Sequence, residues 1–290
     1  MISIVIPAYN EADAIGGTIS SVKSALAASF DSTLEVLVVD DGSTDRTATI
    51  AAEAGATVAR HPHNGGYGQA LMTGIRAATH DTIVIIDADL TYPVEAIPAL
   101  VQEFKRGIDM VVGARQGRHY DGSFSKNALR RLLQIMVEFT AGRSVPDVNS
   151  GLRVFSRQTV ITYMPQLCRT FSFTTSLTLA YMMTGRFVTY LPIAYHARVG
   201  ATKVRLFRDS LRTLQYIVQA IVYYNPIKVF ILLAAGAVAV GAIGALAALL
   251  LVGGAVVPLL SVTFGALSAL VIFALGLVAV LLRAIAPGQE

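Results

Sequence analysis

Ile83-Val84-Ile85-Ile86-Asp87-Ala88-Asp89 decides how this chain folds. The apolar run at Ile83–Ile86 carries no alternation, so it reads as a strand buried on both faces, the kind found where helices cover both sides of a parallel sheet. That run belongs to a strand at Thr82–Ile86, and working outward further strands are expected at Ser3–Ile6, Leu34–Val39, Thr57–Arg60 and Met110–Val112. Helical spacing fills the gaps at Ala12–Ser29, Thr44–Glu53, Gly68–Ala78 and Val94–Arg106. Strands alternating with helices predict an α/β domain with a mostly parallel, Rossmann-like sheet. Ligands of such sheets bind beyond the carboxyl ends of the strands.

Acidic and polar residues gather at those ends. Tyr9, Asn10 and Glu11 follow the first strand, Asp40 and Asp41 the second, Asp87 and Asp89 the fourth. A lone acid after a strand is usually a helix cap, which suits Asp45 or Ser43. Acids after several strands repel one another across one rim, a cost that a metal or a polyhydroxylated ligand would offset. Residues two apart at a strand end point the same way, so Asp87 and Asp89 can face one ion. Hard oxygen donors without His or Cys nearby favour Mg²⁺ or Mn²⁺, and such an ion neutralises a diphosphate leaving group as a Lewis acid. His61 and His63 flank Pro62 on an expected loop and read as loop histidines rather than metal ligands.

Composition divides the chain. It is 54% hydrophobic and 14% charged over 290 residues, against about 25% charged in an ordinary soluble domain. The excess lies at the end: 227–252 carries only Lys228, and 256–282 carries no charge. Each exceeds the roughly 20 residues needed to cross a bilayer, and the short link at 253–255 predicts a transmembrane hairpin. Lys203, Arg205, Arg208, Arg212 and Lys228 precede it and Arg283 follows, so the positive-inside rule places both ends in the cytoplasm. The chain opens on its first strand with no basic and apolar leader before it, in keeping with a cytoplasmic domain. Segment 204–226 has amphipathic helical spacing; it can lie on the interface or pack on the domain. The net charge of +4 is modest, and the basic cluster suits lipid headgroups rather than nucleic acid. Ala237, Gly241 and Ala245 offer a small-residue packing face, within the hairpin or between protomers of a homo-oligomer. Cys168 is alone and reads as structural.

Pro7-Ala8-Tyr9-Asn10-Glu11, Val38-Val39-Asp40-Asp41-Gly42-Ser43-Thr44-Asp45, Asn64-Gly65-Gly66-Tyr67-Gly68-Gln69-Ala70 and Asp87-Ala88-Asp89-Leu90 stand in that order. Together they resemble the family 2 glycosyltransferases, and more narrowly the polyprenyl-phosphate (dolichyl-phosphate) mannose and glucose synthases, over residues 2 to 203. The resemblance implies a GT-A fold, a nucleotide-sugar donor, a divalent metal (Mg²⁺ or Mn²⁺), a polyprenyl phosphate acceptor and inversion at the sugar carbon. It implies donor contacts from Pro7, Tyr9, Glu11, Val38, Asp40, Asp41, Gly68, Asp87, Ala88, Asp89 and Arg115, with Asp89, Asp87 and Arg115 central to transfer. Metal contacts fall to Asp87, Asp89 and Thr91, the last standing where many relatives carry Gln. On the acceptor side it implies Arg130 or Arg131, the segment Asp147-Val148-Asn149-Ser150-Gly151-Leu152-Arg153 with Asn149 and Ser150 facing the phosphate, and the basic pair Arg198 and Lys203. Relatives often have Glu after a Phe-Ser-Phe-like run; here Phe171-Ser172-Phe173 leads into Thr174-Thr175.

The organisation expected is a GT-A domain at 1–203, a juxtamembrane helix at 204–226, spans at 227–252 and 256–282, and a short tail at 283–290. Membrane lipids and a nucleotide-sugar are the expected partners, and the product a hexosyl polyprenyl phosphate. An anionic phosphate needs no strong general base to attack the sugar carbon, whereas a lipid hydroxyl would, with Asp147 the candidate. Processive polysaccharide synthases carry a Gln-x-x-Arg-Trp motif, and this chain has no Trp. A non-catalytic membrane-tethered nucleotide-sugar scaffold is the reading from a different class.

Overall fold

Even-numbered and odd-numbered residues of the first strand meet different helices, and that alternation builds the domain in layers. A computed structural model describes residues 1–30, 34–117, 124–197, 206–251 and 254–285, with backbone alone at 28, 30, 124–129, 206–212 and 283–285. Two units divide it, Met1–Ile217 and Val218–Glu290.

The first unit runs β1 (Ile2–Ala8), α1 (Ile15–Phe30), β2 (Leu34–Asp40), α2 (Thr47–Glu53), β3 (Thr57–Arg60), α3 (Tyr67–Ala77), β4 (Thr82–Ile85), a 3₁₀ turn (Val94–Ala96) leading into α4 (Ile97–Phe104), and β5 (Met110–Gln116). It continues with α5 (Phe124–Ala141), β6 (Arg153–Ser156), α6 (Arg157–Tyr163), α7 (Phe173–Met183) and β7 (Val188–Ala194). The strands form one sheet of order β3-β2-β1-β4-β6-β5-β7. β1 to β4 pair in parallel, β6 runs antiparallel to both β4 and β5, and β5 pairs in parallel with β7. Ile4, Ile6 and Ala8 of β1 join Ile15 and Ile19 of α1 and Ile97 and Leu100 of α4 in the main core. On the other face α3 comes so close that a Cβ on Gly74 would lie 2.4 Å from Val5 and 3.0 Å from Val39. The absent side chain is what lets this helix rest on the sheet.

Helix starts depart from the expected positions for a local reason. α1 begins at Ile15 rather than Ala12 because Asn10, Glu11 and Ala12 donate their N–H groups to Ser43 (2.9 Å), Thr47 (2.9 Å) and Asp45 (3.2 Å). α2 begins at Thr47 rather than Thr44 because Thr44 N donates to Asn10 Oδ1 (2.8 Å) and Asp45 accepts from Thr47 N (3.0 Å). β5 outruns Val112 and reaches Gln116 because β7 pairs along its whole length.

The division between the units falls within α8 (Leu206–Tyr224); its earlier part belongs to the first unit, where Ser172 and Thr213 share a buried hydroxyl contact of 2.7 Å and Ile217 is fully buried. The second unit holds α9 (Pro226–Leu251) and α10 (Val256–Ile285). Stretches of 26 residues in α9 and 27 in α10 are each long and apolar enough to cross a membrane. The two helices meet at Gly241 and Gly265, where an added Cβ on either would sit 3.0 Å from the other's Cα. The small-residue face at Gly241 is thus used within the hairpin.

Candidate functional site

Sheet register puts the acids on one rim. Ala8 lies level with Asp40, and Val5 with Ile85, so Asp87 two residues on stands close to the same height. β2 and β4 flank β1, which sets the two carboxylate-bearing ends about 10 Å apart at ordinary strand spacing.

Asp40 is fully buried. Its Oδ1 accepts from Ser43 N at 3.0 Å. Its Oδ2 makes no hydrogen bond, although Arg60 Nε lies 3.1 Å away in an ion pair. The guanidinium supplies charge without an aligned N–H, so the oxygen keeps acceptor capacity. Beside it Gly42, Ser43, Thr44, Arg60, His61 and Pro62 line a cavity of about 470 Å³. Gly42 has φ of 73°, and a Cβ there would strike the His63 backbone at 2.5 Å.

Asp41 works differently from its neighbour. Its oxygens accept from Gly65 N and Gly66 N, both at 2.8 Å, and from His61 Nδ1 at 2.6 Å. It shapes the glycine turn, and His61, whose Nε2 reaches Thr73 at 2.9 Å, braces it. Gly68 has a packing reason: a Cβ would fall 2.4 Å from the Cys168 carbonyl oxygen. Val38 lies fully buried in the core below the rim, so its side chain contributes packing rather than a donor contact. Pro7 is buried, whereas Tyr9 and Glu11 are half-buried at the rim.

The Asp87-Ala88-Asp89 turn is fixed from behind. Thr18 donates to the Ala88 carbonyl at 2.8 Å, and Leu90 adopts φ of 60°, a left-handed conformation that costs a non-glycine residue about 1 kcal/mol. Asp87 is half-buried and accepts from the Tyr67 phenol at 2.9 Å. Burial, then the Asp87 charge, push that phenol well above its ordinary range, so it stays protonated as the donor. Asp89 is buried and accepts from the Thr91 hydroxyl at 2.6 Å. Thr91 is itself fully buried, with its N–H and its hydroxyl both donated to Asp89 Oδ1. Tyr67 was quoted in the glycine motif but given no role by the sequence; its position at the start of α3, just past the turn, was the available signal.

The motif expected on the acceptor side turns largely inward. Asp147 is buried and holds Arg115 in a two-pronged pair, Nε at 2.7 Å and Nη2 at 2.8 Å, with Arg115 N at 3.1 Å. Arg115 also lies over the Tyr195 ring, 5.4 Å from its centre. Ser150, expected to face phosphate, is fully buried and donates to the Gly113 carbonyl at 2.6 Å, so it anchors the segment instead. Asn149 is half-buried, its Oδ1 accepting from Thr175 at 2.6 Å. Arg153 is fully buried and donates to the Ser150 carbonyl (2.8 Å), the Val148 carbonyl (2.9 Å) and Thr178 Oγ1 (2.7 Å). Arg130 and Arg131 stand on α5, the first half-buried and the second exposed. Arg198 and Lys203 lie outside the described residues.

The topology and this acidic rim define an α/β protein built to hold a ligand past its parallel strand ends. Residues 3–164 match the model of glycosyl transferase family 2, and the chain belongs to that family. It is 33% identical over 186 residues to the undecaprenyl-phosphate 4-deoxy-4-formamido-L-arabinose transferase of Klebsiella pneumoniae (strain 342), covering 59% of this chain and 56% of that one. With the protein of the same name from Edwardsiella ictaluri (strain 93-146) identity is 38% over 171 residues, covering 56% and 51%. The chain thus spans about half the length of the curated relatives it matches. Among solved structures it is similar to glucosyl-3-phosphoglycerate synthase from Mycobacterium tuberculosis in complex with Mn²⁺, uridine diphosphate and glucosyl-3-phosphoglycerate. There the TM-score is 0.62 at 25% identity, covering 76% of this chain and 79% of that one. The fold is GT-A, with two apolar helices after the domain.

Proposed function

We propose that this chain transfers a glycosyl group, with inversion, from a nucleoside-diphosphate sugar to a polyprenyl phosphate at the cytoplasmic face of a membrane. One observation carries the reading: Asp40, with a buried oxygen lacking a hydrogen bond, stands on the same rim as Asp87 and Asp89. That oxygen has the Arg60 guanidinium beside it but no aligned donor, which the imide N–H of a base such as uracil would supply. The cavity beside Asp40 has room for the nucleoside, and the diphosphate then runs towards Asp87 and Asp89.

The rim's donors fit a divalent ion. They are carboxylate oxygens, suited to Mg²⁺ or Mn²⁺, and among the described residues no group of three or more His, Cys, Asp or Glu could close a protein-only site. Asp87 and Asp89 would hold the ion, leaving its other positions to phosphate oxygens and water. When bound it supplies Lewis acidity to the departing diphosphate.

Arg115 and Asp147 argue for a phosphate acceptor over a hydroxyl. Both Asp147 oxygens are already committed, to Arg115 and to the Asn149 N–H, so neither is left turned towards an acceptor hydroxyl. A phosphate monoester brings its own anionic oxygen, which bonds to the anomeric carbon as the bond to the diphosphate breaks and its electrons leave with the nucleotide. The protein's part is alignment and charge stabilisation. Apolar helices α9 and α10 would anchor the domain at 1–203 beside the headgroups, with the basic residues before and after them holding both termini in the cytoplasm. Glucose and mannose are the sugars implied by the synthases the sequence resembles, whereas the curated relatives are named for a formamido-pentose.

A donor and acceptor screen tests this. The full chain in membranes is given UDP-glucose, GDP-mannose or the UDP-linked formamido-arabinose, with a short polyprenyl phosphate, polyprenol or diacylglycerol, with and without Mn²⁺. Metal-dependent formation of a glycosyl polyprenyl phosphate is expected. Transfer to the alcohols alone would overturn the acceptor, and absence of turnover with every donor would overturn the whole reading.

A further inference from the structure

Asp87 is where the donor half and the acceptor half of the rim touch. On one side the Tyr67 phenol donates to Oδ1 at 2.9 Å. On the other lies Gly151, where a Cβ would fall 2.6 Å from both carboxylate oxygens, so the carboxylate rests against bare backbone. Both neighbours are themselves held. Tyr67 follows Gly65 and Gly66, whose N–H groups are bound by Asp41. Gly151 donates its N–H to the Tyr92 phenol at 2.6 Å, and the residues before it hang from the buried Arg153. Contacts therefore run unbroken from the end of β2, through the glycine turn and Asp87, to the segment Asp147–Arg153.

We propose that Tyr67 is a positioning residue for the diphosphate and cation end of the donor site, locking one oxygen of Asp87 while Gly151 leaves the carboxylate its place against the acceptor segment. The inference rests on the reading of the rim as a nucleoside-diphosphate-sugar site. A phenylalanine would fill the same space as the tyrosine ring; the hydroxyl adds only the bond to Asp87. That bond restricts rotation of the carboxylate, so the group is set before a ligand arrives. Groups that orient a metal-binding side chain change metal affinity or activity by about 10–100-fold when removed.

Tyr67→Phe isolates the hydroxyl. Binding of UDP, GDP, CDP and ADP to the full-length protein in detergent is measured by calorimetry, once in EDTA and once in Mn²⁺, beside wild type, Asp87→Asn and Gly151→Ala. Tyr67→Phe is expected to keep the EDTA affinity of the preferred nucleotide within about twofold and to lose about 10–100-fold of the gain that Mn²⁺ brings. Gly151→Ala should lose as much or more, by displacing the carboxylate. A Tyr67→Phe protein that retains the full Mn²⁺ gain while Asp87→Asn loses it overturns the positioning role and leaves the site standing. Equal losses with and without Mn²⁺ overturn it as well, since a general packing defect would do that. If Mn²⁺ adds nothing to any nucleotide in wild type, the site reading falls and this inference with it.

Discussion

The stretch from β1 to Asp89 and the stretch from β5 to β7 commit their polar residues differently. In the first, parallel strands end together, and Asp40, although fully buried, keeps an oxygen without a hydrogen bond. In the second, β6 is inserted antiparallel between β4 and β5, and its approach segment must be pinned from inside. Asp147, Ser150 and Arg153 are all buried and spend their hydrogen bonds on Arg115, the Gly113 carbonyl and the segment's own carbonyls. A polar motif can therefore mark a ligand site or the scaffold behind one, and hydrogen-bond satisfaction rather than burial separates the two: Asp40 is as buried as Ser150 and Arg153, yet one of its oxygens has no hydrogen bond.

That contrast can be broken by mutation. The largest effect is expected at Asp89→Ala, which removes a rim carboxylate and leaves the core intact. Glycosyl transfer should fall by about 10³-fold or more, with a thermal midpoint near that of wild type. An undiminished rate would take Asp89 out of the site. Arg153→Met probes the other region. It orphans the Val148 and Ser150 carbonyls and removes the donor to the Thr178 hydroxyl, which keeps its own bond to the Thr174 carbonyl, at about 3 kcal/mol in sum. Thermal melting should drop by several degrees, with nucleotide affinity of the folded fraction preserved. Wild-type melting with lost turnover would instead make Arg153 a substrate contact.

The smallest effect lies far from the rim. Burial raises the Glu35 carboxyl, but hydrogen bonds from Ser3 and Thr79 outweigh it and hold the group below its ordinary range. A depressed folded-state value means the ionised form stabilises the fold above the unfolded-state value, and that stability is lost as pH falls through the folded one. Glu35→Gln should thus lower the melting temperature slightly at neutral pH and flatten its fall in acid. An acid profile parallel to that of wild type would show that Glu35 contributes nothing to it.

Legibility followed the same divide. Every expected strand from Ser3–Ile6 to Met110–Val112 exists, because buried parallel strands are apolar runs with acids at their ends. β6 and β7 gave no such signal. β6 opens on Arg153 and spans only Arg153–Ser156, while β7 is a half-exposed edge interrupted by Pro192, where a missing N–H is tolerated. The Arg115–Asp147 pair joins residues 32 apart on elements whose meeting no local pattern announces.

By itself the sequence determined the parallel half of the sheet, the acidic character of its rim and the two apolar helices, because burial and strand ends leave a short-range imprint on composition. Tertiary structure alone decided which polar side chains keep hydrogen-bonding capacity. Asp40 and Asp41 are chemically alike and adjacent, yet one keeps an oxygen without a hydrogen bond and the other is consumed by a glycine turn. The reason is physical: a hydrogen bond is awarded by which backbone N–H groups the fold brings within 3 Å or so, and those come from distant parts of the chain.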